Sequence, residues 1–255
     1  MALFTDGPPS SVEDLSAQDS QLLNIANVEG IDVSQKLMLA HEEIGIQLYA
    51  MLSRSGGLGQ DYVLRPRIGL DKVVITAPLK LWHTYRALEM VYADAYNSQL
   101  NDRYSGRRDQ FRDLARWACE KLVQIGLGMT TSPVGQAAAP AVTATPGGPL
   151  PDGTYYVTTA WVNGQGEEGA AAHPVDVNTA GNTVRVVTGA APQGASGWNV
   201  YLGSDPAALT RQNSQPVAVG EAWLQYVPPA FDGPKPGTGQ QPGYVHPIPR
   251  VLQRG

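Results

Sequence analysis

"SPVGQAAAPAVTATPGGPLPDG", Ser132 to Gly153, is the stretch whose reading decides the fold. Before it the chain carries most of its leucine and most of its charge. After it Gly, Pro, Thr, Val and Ala dominate. Pro and Gly punctuate local structure, so the stretch reads as a linker running into strands. The boundary falls near residue 133, with helices before it and strands after it. The expected class is α+β multidomain: a helical bundle over 1–133, a small all-β sandwich over 134–235 and an extended C-terminal arm over 236–255. No internal repeat is visible.

The chain has 255 residues, room for one large domain or two small ones. Hydrophobic residues make up 42%, enough for real cores. Charged residues are 16% and the net charge is −5, which argues against a general nucleic-acid coat, since phosphate binding needs a cationic excess. Cys119 is the only cysteine, so an intrachain disulfide and a cysteine-based zinc site are excluded. "MALFTDGPPSSVEDL" does not read as a signal peptide. No stretch reaches the roughly 18 consecutive apolar residues of a membrane span.

Ser11 to Asp14, "SVED", has capping-box spacing and opens a short helix. A second short helix is expected over 20–28, with "EGID" as the turn after it. Asp32 and Gln35 repeat the capping spacing and open a helix from Val33 to about Arg54. On it Val33, Leu37, Ala40, Ile44, Leu48 and Met51 share one face. Leu39, Ile46 and Ala50 form a second apolar face. Either its own domain wraps this helix, or a neighbouring subunit covers the second stripe. "SGGLGQDYVLRPRIGLDKVV" then breaks the helical pattern for about 20 residues, a length associated with contact loops.

Thr76 is placed to cap the next helix, with Pro78 in its first turn. "LWHTYRALEMVYADAYNSQLNDRY", Leu81 to Tyr104, puts Leu81, Trp82, Tyr85, Leu88, Tyr92, Ala95, Tyr96 and Leu100 on one broad face. That stripe reads as a helix core, with Glu89 needing a partner if buried and His83, Asn97 and Asn101 largely off the face. In the last helix of this half, Phe111, Leu114, Ala115, Ala118, Leu122 and Ile125 make the apolar face. Arg108, Arg112 and Arg116 run along one edge. They read as a solvated flank or as a basic stripe facing an acidic partner or passing DNA. "GLG" ends the helix.

The second half shows short strand-like runs: "TYYVTTAWV", "NTVRVVT", "GWNVYLG" and "AWLQYV". "VNGQGEEG" supplies a hairpin-like turn after the first. Such spacing suggests a small sandwich. Both faces of the first run are apolar or aromatic, so inside and outside stay unassigned. Trp161 and Trp198 are the natural core anchors. The tail, "DGPKPGTGQQPGYVHPIPRVLQRG", is too rich in Pro, Gly and Gln for a core of its own. Its anchors for another surface are Tyr244, Val245, Ile248, Val251 and Leu252.

Four histidines, His41, His83, His173 and His246, show no HExxH spacing. There is no GxSxG, no P-loop and no GxGxxG opening a helix. Asp94 and Asp102 are too far apart in angle to form a carboxylate pair. No catalytic residue, cofactor or metal site is expected, and the chain is read as no enzyme.

"VEDLSAQDSQLLNIANVEGIDVSQKLMLAHEEI" followed by "LKLWHTYRALEMVYADAYNSQLNDRY" resembles a tailed-bacteriophage head-to-tail adaptor, also called a connector or neck protein, over about half the chain through Val134. "VYADAYNSQLNDRY" is the most specific piece. "DGTYYVTTAWVNGQGEEGAAA" is similar to a fibronectin type III strand and its turn, except that "GWNVYLG" follows where that motif usually lies late. The broader term Ig-like therefore suits the β domain. The resemblance implies a structural virion protein at the head-tail junction, made in the host cytoplasm. It implies a homo-oligomeric ring, usually a dodecamer, seated beneath the portal and meeting tail or neck proteins below. Genomic DNA would pass through without sequence-specific binding, and no membrane is involved. Subunit or portal contacts are expected at Leu39, Ile46, Ala50, Asn97, Asn101, Arg103, Tyr244, Ile248, Val251 and Leu252, with Arg108, Arg112 and Arg116 as the channel-facing basic stripe. The alternative is a virion surface module whose Ig-like domain binds a host glycan or receptor.

Overall fold

The computed structural model describes residues 2–55, 69–99, 102–237 and 239–246. An N-terminal helical region is followed by a region of antiparallel sheets. Contacts divide the chain into two units. One holds Gly7–Met129 and the segment from Gly243; the other holds the residues up to Asp6 and Thr130–Pro242.

The helical unit has five α-helices among its described residues: α1 (Val12–Gln18), α2 (Leu22–Glu29), α3 (Val33–Ser55), α4 (Ala77–Gln99) and α5 (Ser105–Ile125). The capping box forms in full, with Asp14 N–H donating to Ser11 Oγ and Ser11 N–H donating to Asp14 Oδ2 at 2.9 Å. α2 stops at Gly30, whose φ of 66° is left-handed and suits glycine. Asp32 Oδ1 accepts from Gln35 N–H at 3.1 Å to open α3. Thr76 precedes α4, but its buried hydroxyl has no hydrogen-bond partner, so the expected side-chain cap is not made. α5 ends at Gly126, φ 105°, where a Cβ would sit 3.2 Å from the Tyr244 Cβ. Leu127–Met129 (β1) then pairs antiparallel with Gly243–Val245. Part of the segment expected as an arm is thus a strand of the helical unit.

α4 is the central helix and packs on α1, α2, α3 and α5. Its aromatic stripe lies in the core: Trp82 and Tyr92 are buried, and Tyr85 and Tyr96 are half-buried against it. Tyr92 stacks on Phe111 with ring centroids 5.5 Å apart. Each large side chain buried here contributes roughly 1.5–3 kcal/mol. A single broad apolar face was too narrow an expectation, because His83 and Thr84 are buried as well. Glu89 does have its partner, Arg86, which also reaches Glu43 at 2.7 Å.

The second unit contains β2 (Ala141–Leu150), β3 (Gly153–Asn163), β4 (Val175–Thr179), β5 (Asn182–Val187), β6 (Ala195–Gly203), β7 (Thr210–Arg211), β8 (Val217–Ala218) and β9 (Trp223–Leu224). One sheet has the order β2-β5-β9. The other has β4-β3-β6-β7, with β8 also pairing β6. Much of the expected linker is therefore strand. β2 tolerates Pro146 because it pairs only β5 and its register shifts between Pro146 and Leu150. Gly148 sits at that shift, where a Cβ would fall 2.2 Å from the Thr183 nitrogen. Only glycine permits that approach.

Trp161 and Trp198 face each other across β3 and β6, and both are buried. Tyr155, Val157 and Trp161 of β3 share one cluster with Val184 and Val186 of the other sheet. Tyr156 and Ala160 turn to a second cluster with Tyr201 and Leu209. The strand is apolar on both faces because both faces are covered.

Candidate functional site

The second apolar face expected on α3 is uncovered. Ile46 is 72% exposed and Leu39 41%, while Ala50 is half-buried. The alternative in which its own domain wraps this face is thereby corrected. Met38 and Tyr49, absent from the expected stripe, extend it as further exposed apolar side chains. The opposite face packs inward as expected, with Val33, Leu37, Ala40, Ile44, Leu48 and Met51 all buried. α3 therefore buries one apolar side and leaves the other in solvent.

Asn97, near the end of α4, and Arg103, in the short turn before α5, are exposed. The Arg103 guanidinium lies 5.4 Å from the Tyr104 ring centroid. Tyr104 itself is buried and donates to Glu29 at 2.8 Å. Tyr244 is half-exposed on the strand opposite Gly128. Leu100, Asn101, Ile248, Val251 and Leu252 lie outside the described residues.

The basic stripe on α5 is laced with carboxylates. Arg108 and Arg112 both reach Asp109 at 3.0 Å, and Arg116 reaches Asp113 at 3.6 Å. Arg108 also lies 4.7 Å from the Tyr96 ring centroid. Three guanidiniums matched by two carboxylates make a mixed edge, and such exposed pairs contribute about 0–1 kcal/mol each. The edge is thus a mixed one, in which the three arginines share two carboxylates. Carboxylates at i+1 and i−3 from the arginines were the signal in the sequence.

Two buried polar clusters were not anticipated. His83 is fully buried on α4, with Nδ1 2.5 Å from Ser10 Oγ and Nε2 3.1 Å from the Leu37 carbonyl. Burial holds its pKa at about 4, down from 6.5. At neutral pH the ring is therefore uncharged, donating from Nε2 to Leu37 and accepting from Ser10. It ties α4 to α3 and to the segment before α1. His41 lies edge-on, with ring centroids 6.2 Å apart, and burial lowers its pKa too. Helical periodicity gave no warning, because His83 lies off the aromatic stripe and reads as surface.

The second cluster surrounds Glu168, which is buried in the β unit. Its Oε1 accepts from Asn199 and from the Tyr201 hydroxyl, and Oε2 has no hydrogen-bond partner. Asn213 continues the network to Asn199 at 2.8 Å and accepts from Val200 N–H at 2.9 Å. Burial, with the Glu168 hydrogen bond second, pushes the Tyr201 hydroxyl well above its usual range. Glu167, Glu168, Tyr201, Arg211 and Gln241 line a polar hollow of about 280 Å³, small for a ligand site. Among the described residues no group of three His, Cys, Asp or Glu side chains is placed to hold a metal ion, and no helix is long and apolar enough to cross a membrane. No protein-family model, curated protein or solved structure matches this chain.

Proposed function

We propose that the chain is a structural virion protein of a tailed bacteriophage, a ring-forming adaptor that joins the capsid portal to the tail and frames the DNA channel. The observation that carries this reading is the α3 stripe. Leu39, Ile46 and Tyr49 stay in solvent although the same helix buries seven apolar side chains, Val33, Leu37, Ala40, Ile44, Leu48, Met51 and Leu52, elsewhere on its surface. A contiguous apolar face on an exposed helix marks a partner surface. The resemblance of "VYADAYNSQLNDRY" to head-to-tail adaptors names the partners: copies of itself, the portal above and tail or neck proteins below. In this reading the β unit is an Ig-like sandwich, supported by two antiparallel sheets sharing a core around Trp161 and Trp198. The protein is no enzyme, and DNA passes without a specific grip, consistent with the mixed arginine edge on α5.

The test is mass photometry and negative-stain microscopy of the purified chain, alone and with the portal protein. Ring-shaped particles or portal-dependent assembly are expected. A strictly monomeric chain that does not join the portal overturns the reading.

A second reading has one observation in its favour. The hollow beside Glu168 carries a buried carboxylate and Arg211, groups able to meet the hydroxyls of a host glycan. It predicts that virions whose β unit lacks residues 134–235 lose adsorption to cells. Unchanged adsorption removes it.

A further inference from the structure

The outer sides of α3 and α5 carry matching strips. On α3, Leu39, Glu42, Ile46 and Tyr49 follow one another at spacings of three and four, which places them in a line along the helix. On α5, Leu114, Trp117, Lys121 and Ile125 do the same, with Leu114 half-buried against the core of its own unit at the inner edge of the strip. Trp117 is 45% exposed and Ile125 49%, although Ile125 was expected to lie in the core. At about 1.5 Å per residue both strips are roughly 15 Å long. Each holds three apolar side chains and one charge. The charges are opposite: Glu42 on α3 and Lys121 on α5. Neither belongs to an ion pair among the described residues, and Lys121 donates only to Gln124, at 2.9 Å. α4 packs against both α3 and α5, so within one copy the strips belong to two separate helices flanking a third.

We propose that the Leu39–Tyr49 strip of one copy docks antiparallel on the Leu114–Ile125 strip of the next. The inference rests on the ring reading and adds to it the partner surface and the polarity of the contact. Antiparallel docking pairs Leu39 with Ile125, Glu42 with Lys121, Ile46 with Trp117 and Tyr49 with Leu114. Parallel docking sets Glu42 against Trp117 and Lys121 against Ile46, burying both charges unpaired, which is costly. Charge complementarity therefore selects the direction. Because two different patches meet, the contact is head-to-tail. Repetition closes a ring or extends a filament, and does not stop at a two-fold dimer.

Two cysteine variants, Ile46→Cys and Trp117→Cys, each in a Cys119→Ser background, test the contact by oxidative crosslinking. The mixture is expected to form a covalent dimer, and neither variant alone is expected to. Self-crosslinking of Ile46→Cys alone indicates a two-fold contact and overturns the proposal. Rings without the mixed crosslink overturn it too, while leaving the ring reading intact. A chain that stays monomeric even with the portal overturns both. A charge exchange gives a second readout on surface positions where folding is not at stake. Glu42→Lys or Lys121→Glu alone is expected to weaken self-association at least about tenfold, and the two combined to restore it. Equal association in all three variants overturns the pairing.

Discussion

β3 and α3 pose the same problem and meet different ends. Each is apolar on two sides. β3 places Tyr155, Val157 and Trp161 in one cluster and Tyr156 and Ala160 in another, so its own unit covers both faces. α3 buries Val33 through Met51 on one side and leaves Leu39, Ile46 and Tyr49 in water on the other. An apolar pattern states how many neighbours an element needs. It does not state whether they come from the same chain. The difference matters energetically, because a face covered internally contributes to folding, whereas a face left open contributes only when a partner arrives.

The comparison can be broken most severely at its covered side. Trp198→Ala, opposite Trp161, is expected to cost about 3–5 kcal/mol. Urea unfolding followed by fluorescence checks this, and a loss below 1 kcal/mol would mean that the cluster does not hold the sheets together. The next effect concerns the inner face of the helical unit and depends on pH. His83 binds its proton at about 4 when folded and near 6.5 when unfolded. The unfolded state therefore takes up the proton first, and stability is full above pH 6.5 and falls as the pH drops towards 4. The loss reaches about 3 kcal/mol at most, with His41 acting in the same direction. Urea midpoints measured across this window check it, and a flat profile argues against a buried neutral imidazole.

Glu168→Ala strands the Asn199 amide and the Tyr201 hydroxyl, and is expected to cost about 1–3 kcal/mol. Thermal unfolding reads this loss. Tyr201→Phe in the same background should add little, since the hydroxyl has already lost its acceptor. The smallest effect on stability, within about 0.5 kcal/mol, is expected for Ile46→Ser on the open face of α3. The same change should weaken self-association by sedimentation. If Ile46→Ser unfolds the unit instead, α3 is covered from within and the contrast with β3 disappears.

Much of this was legible in the residues. Ser11 with Asp14 and Asp32 with Gln35 announce their helix starts because capping chemistry is local. The aromatic spacing from Trp82 to Tyr92 announces a buried helix, and Trp161 and Trp198 announce the β core. Ala141–Leu150 read as a linker because Pro146 and its glycines look like breakers, and only pairing with β5 makes them a strand with a register shift. β4 and Gly243–Val245 were unreadable because strands of five and three residues are too short to carry a local signal. "AWLQYV" promised more strand than Trp223–Leu224 delivers.

The candidate surfaces divide in the same way. The spacing of Leu39, Ile46 and Ala50 was visible at once, because a helix of known period turns sequence into angle. That this face stays open, and that Trp117 and Ile125 stay in solvent, required three dimensions. His83 and Glu168 lie beyond any periodic reading, since their burial depends on residues distant in the chain: Ser10 and Leu37 for one, Asn199 and Tyr201 for the other. Sequence alone determined where the helices begin, which side chains are apolar and how they are spaced, because backbone capping and periodicity act over a few residues. Tertiary structure decided which of those faces meet water, because that depends on the neighbours that long-range packing supplies.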